Sequence, residues 1–170
     1  PMFMGCTFNA MNMISEKENC VDLVNQILPM TYSQYVIQKI FIGFVFGCLS
    51  AVMTACICFQ LSLQSTFLML LLIILSAFVA ALIGLFIGKF SENLMVGVVY
   101  VKVVMIVFMA VPLLSYLLGA NGLVLILCYF VPSNATFEGV MNLANSTEPM
   151  IAKDMLILMV HCIVWFLFYL

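Results

Sequence analysis

The 170-residue chain is 66% hydrophobic and 7% charged, with a mean hydropathy of +1.29, where soluble domains carry roughly 25% charged residues. So much apolar surface excludes a water-soluble fold and points to an all-α integral membrane protein, because helices satisfy their backbone donors and acceptors internally in a bilayer. The net charge of −2, with five lysines, no arginine and no basic run, leaves no electrostatic footprint for a nucleic-acid partner.

In chain order, the first patterned segment is SEKENCVDLVNQILPMTYSQYVIQ, where Val21, Val24, Ile27 and Leu28 share one face of an amphipathic helix that Pro29 ends. Residues 38–59 follow, with Lys39 as their one charge, then the uncharged 66–88, and each is long enough to cross a roughly 30 Å hydrocarbon core. A short polar turn, Lys89 to Asn93, leads to a third span at 94–118, in which Pro112 removes a backbone donor and predicts a kink. The external loop, 119–152, begins with GLVLILCYFVP (122–132), too short to cross as a helix and read as re-entrant or interfacial. Beyond it Phe137, Val140, Met141 and Ala144 recur at helical spacing, which predicts a short helix on the membrane surface. A fourth span, 153–170, closes the chain, which reads as a single transmembrane domain.

With loops on alternating sides, Lys17, Lys39, Lys89 and Lys102 fall on one side and only Lys153 on the other, so the first side is cytoplasmic and 119–152 is external. The triplets Asn134-Ala-Thr136 and Asn145-Ser-Thr147 in that loop match the glycosylation pattern, a match common by chance. No basic segment followed by an apolar core opens the chain, so no signal peptide is expected. The localisation read from this pattern is the cell membrane, multi-pass, with a bacterial plasma membrane expected.

Few residues are equipped for chemistry. The string GLFIGKF (84–90) is one residue short of a phosphate loop and has Phe90 where a magnesium-holding Ser or Thr would stand. The seven cysteines are scattered in mostly apolar runs and read as unpaired, and Cys56 and Cys58 point about 200° apart on a helix. His161 is the sole histidine, so neither a triad nor a metal cluster is expected. There is no paired intramembrane carboxylate either, so an enzyme is not expected. Lys102, about two turns inside the third span, either snorkels to the headgroups or faces a cavity, and Lys102 and His161 are the candidates for a polar path. Two rows of small residues, Gly43, Gly47, Ala51, Ala55 and Ser76, Ala80, Gly84, Gly88, recur every four positions and read as helix-packing faces.

Residues 13–44 resemble the cytoplasmic connection of type 2 ABC exporter permeases. The resemblance rests on the triplet Glu16-Lys17-Glu18, then an amphipathic helix, Leu28-Pro29, the polar run Tyr32, Ser33, Gln34, Tyr35, and Lys39 opening the next span. It extends over the glycine-rich span, the short cytoplasmic turn, the external stretch with a proline and the last helix, but the family's first helix and most of its second have no counterpart. Residues 1–13 then match the tail of the second helix, 14–37 the coupling segment, and the chain is expected to be a fragment or a truncated subunit. The resemblance implies that two permease subunits pair and that separate ATPase subunits dock on the coupling helix through Glu16, Lys17, Glu18, Asp22, Val24, Leu28 and Pro29. It also implies that ATP binds the partner and that this chain holds no cofactor. An energy-free membrane protein, such as a binding, pore or immunity-type protein, is the alternative, and copurification of an ATPase separates the two. A wall rich in Phe and Met leaves the substrate class open.

Overall fold

In hydrocarbon a backbone has no water to bond, so each apolar run closes its own hydrogen bonds as a helix. The computed structural model describes residues 2–21, 31–58, 63–118, 128–144 and 148–169, and no strand occurs among them. In order, the helices are α1 (Met2–Glu18), α2 (Tyr32–Cys58), α3 (Leu63–Phe90), α4 (Leu94–Leu118), α5 (Pro132–Ala144) and α6 (Glu148–Tyr169). Of these, α2, α3, α4 and α6 are long and apolar enough to cross a membrane. The protein is an all-α membrane protein.

The centre of the bundle is α3, which touches each of the other five helices. In its most apolar window 67% of residues are buried, against 11% for α4 and 17% for α2 and α6. An apolar helix with one covered face and one open face is the expected state of a lipid- or partner-facing span, whereas α3 is covered nearly all round. Around it, α1 lies against α2, α3 and α4, while α5 and α6 pair and close the opposite side. Three apolar clusters result, centred on Cys6, Ala10, Val79 and Ile83, on Leu72, Ala135, Ile151 and Leu158, and on Val36, Leu82, Leu85 and Tyr169.

Several boundaries differ from the sequence reading. The first helix runs on through Glu18, so residues 14–18, read as connection, continue α1. The second starts at Tyr32, where the Thr31 amide donates to Gln34 Oε1 at 3.0 Å, half of a capping box that the Thr-x-x-Gln spacing supplies. The last starts at Glu148, five residues before the predicted span. Pro112 lies within α4 without ending it. Of the predicted coupling helix, residues 22–30 lie outside the described residues, as do residues 122–127 of the predicted re-entrant stretch.

The predicted surface helix is also set differently. Its buried side is Pro132, Ser133, Asn134, Ala135, Gly139 and Leu143, whereas Phe137, Val140 and Met141 are half-buried and Ala144 is exposed. Small residues let α5 approach α3 closely: a Cβ at Gly139 would stand 2.3 Å from Leu72 Cδ1. Inside a membrane protein, close backbone approach outweighs the water-derived preference for burying the largest side chains.

Candidate functional site

Two polar clusters sit in the bundle, one where α1 ends and one where α5 meets α6. Consecutive residues on a helix point about 100° apart, so Glu16, Lys17 and Glu18 fan out toward three different neighbours. Glu16 forms an ion pair with the buried Lys39 of α2, and Tyr35 Oη donates to the same carboxylate at 3.4 Å. Lys17 Nζ donates to the carbonyls of Gly88 (2.7 Å), Lys89 (2.8 Å) and Ser91 (3.2 Å), which satisfies free acceptors at the C-terminus of α3 with a cation where the helix dipole favours one. Glu18 Oε1 accepts from the Leu94 amide at 2.7 Å, an anion at the N-terminus of α4, where Asn93 Oδ1 also accepts from Val96. Lys89 lies over the Tyr169 ring at the end of α6, 5.1 Å from its centroid. The structure thus brings Glu16, Lys17 and Glu18 together with the ends of α2, α3 and α4, while Asp22, Val24, Leu28 and Pro29 lie outside the described residues.

Between the ends, α1 fills the groove that the small residues leave. Added Cβ atoms at Gly43 and Gly88 would meet the Asn9 and Met13 side chains at 2.9 and 2.8 Å, and one at Gly84 would stand 2.5 Å from the Cys6 carbonyl oxygen. Gly47 lies against Ala77 and Gly5, Ala80 is buried beside Cys6 and Ala10, and Ala51 and Ala55 pack on the Leu72 cluster. Ser76 is buried and bonds the Ile73 carbonyl of its own helix at 3.0 Å. At the centre of this seat Asn9, fully buried, donates from Nδ2 to the Ala81 carbonyl at 2.9 Å.

The other cluster joins α5 and α6. Asn134 Nδ2 donates to Glu138 Oε1 at 2.9 Å, Tyr129 Oη donates to the other Glu138 oxygen, and Lys153 Nζ donates to Tyr129 Oη at 2.9 Å. Burial first, then the bond and charge of Glu138, push the Tyr129 phenol above its ordinary range, so it stays protonated and can donate. Asp154 is buried and accepts from Asn142 at 2.9 Å. His161 Nε2 lies 3.0 Å from the Tyr129 carbonyl oxygen, which can only accept, so that nitrogen carries the proton. Sequence reasoning took Lys153 only as an orientation signal and passed over Tyr129, Glu138 and Asp154. The i, i+4 spacing of Asn134 and Glu138 was the available signal, whereas the bond between Asn142 and Asp154 depends on how α5 docks. Asn134 is fully buried in this network, so its glycosylation-type triplet is inaccessible; Asn145 and its triplet lie outside the described residues.

An apolar groove of ≈ 730 Å³ runs along α6 on either side of His161, lined among others by Phe86, Tyr129, Val160, Trp165 and Phe168. Lys102 is exposed on α4, a helix without extensive contact to α6, in a stripe with Val99, Ile106, Met109 and Leu113, all more than half exposed. The structure therefore does not bring Lys102 and His161 together. Among the described residues no group of three or more His, Cys, Asp or Glu is placed to hold a metal, and all seven cysteines are free thiols.

No curated protein and no solved structure matches the chain. A family model described as "ABC-2 family transporter protein" matches residues 1–170. With four apolar helices long enough to span a bilayer, the chain belongs to the ABC-2 family of transporter proteins, the membrane permeases of ABC transport.

Proposed function

We propose that this chain is the membrane-spanning subunit of an ATP-driven exporter, that the segment ending at Pro29 docks a separate ATPase subunit, and that two permease subunits form the substrate path. The observation that carries this reading is the fan of Glu16, Lys17 and Glu18 onto α2, α3 and α4, immediately before that segment. A push delivered there reaches the ends of three helices at once, and coupling needs such a contiguous element with two arrangements. The segment is acidic, with Glu16, Glu18 and Asp22 against Lys17. It therefore suits a protein groove better than an anionic inner leaflet. The open stripe of α4 with Lys102 then faces the second subunit or the path, because an intramembrane charge is costly against lipid.

The test pairs two variants with the ATPase subunit. Val24→Asp/Leu28→Asp is expected to abolish copurification of the ATPase while membrane insertion is unchanged, since neither residue lies in a span. Glu18→Gln, which keeps that surface, is expected to bind the ATPase but lose part of the coupling between hydrolysis and export. Retention of ATPase and export by the double variant would remove residues 22–30 as the docking element.

A further inference from the structure

Asp154 is 1% exposed, the most deeply buried carboxyl among the described residues, and the proposed coupling makes no use of it. It stands on the face of α6 that carries Ile151 and Leu158, three residues before it and four after, and those two pack with Leu72 of α3 and with Ala135 and Leu143 of α5. Across the seam, a Cβ at Gly139 of α5 would stand 3.6 Å from Asp154 Cβ. One hydrogen bond reaches the carboxyl among the described residues, from Asn142 Nδ2 to Oδ2 at 2.9 Å. Every charged group nearby is engaged elsewhere or has the wrong sign. Lys153, the adjacent residue of α6, is exposed and turned to the Tyr129 hydroxyl, and it forms no ion pair with Asp154. Glu138, the residue before Gly139, is itself acidic and is held by Tyr129 and Asn134. His161 is bonded to the Tyr129 carbonyl, and α3 brings only the apolar Met69, Leu72 and Ile73 to this cluster.

We propose that Asp154 is a proton-binding site that latches α5 to α6. A bare carboxylate in an apolar seam is costly, and a buried acid with no countercharge takes up a proton from water instead. The neutral acid packs against Gly139 and still accepts from Asn142. Release of the proton to water leaves a carboxylate that the seam cannot hold, so α5 loosens. A metal ion does not fit this role, because the helices approach closely at Gly139 and no group of three or more His, Cys, Asp or Glu converges among the described residues. The docked pair binds the proton more tightly than the separated helices, so docking weakens as the pH rises.

The test needs neither substrate nor partner. The full chain is reconstituted in phosphatidylcholine vesicles and its infrared spectrum is recorded at neutral pH, in the region where a protein carbonyl stretch comes from protonated carboxyls alone. The unaltered chain is expected to show such a band, Asp154→Asn to lose it, and Glu138→Gln to keep it. Asparagine has the shape of the neutral acid and also accepts from Asn142, so Asp154→Asn is expected to fold. As the pH is raised from neutral, the unfolding temperature of the unaltered chain is expected to fall further than that of Asp154→Asn, because only the former has this proton to lose. Absence of the band in the unaltered chain would show an ionised Asp154 and overturn the proposal, whether or not any variant folds. A band that survives Asp154→Asn and disappears in Glu138→Gln would give the proton to Glu138. Parallel pH profiles of the unaltered chain and Asp154→Asn would overturn the latch.

Discussion

Gly84 has no room for a methyl group, and Gly47 has. A Cβ at Gly84 would stand 2.5 Å from the Cys6 carbonyl oxygen, a backbone atom that cannot rotate away, whereas one at Gly47 would meet Ala77 Cβ at an ordinary 3.4 Å. Gly84→Ala is therefore expected to destabilise the protein by about 1–3 kcal/mol, the usual range for overpacking, and Gly47→Ala to be close to neutral. Thermal unfolding in detergent checks the pair, and equal effects would mean that α1 is not seated as described. The spacing of the small residues was legible in the sequence because helix periodicity alone fixes it. Their partner was not, since nothing in the apolar run 2–14 marks which face meets Gly43 or Gly84. Asn9 illustrates the same gap: its bond to the Ala81 carbonyl spans residues far apart in the chain, and only docking brings them together.

At the scale of the element, α1 behaves as a peg tied at its C-terminal end by three unlike bonds. The Glu16–Lys39 pair is the most buried of them, with side chains 19% and 6% exposed, while Glu18 is exposed and caps α4. Removing one member of a buried pair strands the other charge, at a cost of about 3–5 kcal/mol. Losing an exposed cap costs only about 1 kcal/mol. Glu16→Gln is thus expected to lower the unfolding temperature well below that of Glu18→Gln, and adding Lys39→Met to Glu16→Gln is expected to recover much of the loss, because the stranded ammonium is gone. A small effect of Glu16→Gln, or no recovery in the double variant, would show that the pair carries little. The sequence revealed the triplet and its distance to Lys39. That the triplet reaches three helix ends follows from its lying on a helix, and that step required knowing that α1 continues to Glu18. The other short helix was legible in place but not in facing: α5 buries Gly139 and Asn134 rather than Phe137 and Met141, because packing between helices in a membrane rewards small residues.

For the whole molecule, the lysines divide the bundle into two chemically different ends. Lys17, Lys39 and Lys89 gather where α1 and α3 end and α2 begins, held by Glu16, helix-end carbonyls and Tyr169, whereas Lys153 stands alone among them at the end carrying Tyr129 and Glu138. Orientation in a bilayer follows the excess of lysine and arginine in short loops, with acidic residues contributing little. The three-lysine end is therefore expected to be cytoplasmic. Cys20 lies at that end and is exposed, and Ala144 is exposed at the end of α5, on the side of Lys153. In a background lacking the other six cysteines, a membrane-impermeant thiol reagent applied to intact cells should leave Cys20 unlabelled until the cells are opened. In the same background without Cys20, Ala144→Cys should label at once. Both positions lie outside the apolar spans, so neither result can come from burial in lipid. The reverse pattern would invert the protein, place residues 22–30 outside the cell and remove them from reach of any cytoplasmic ATPase.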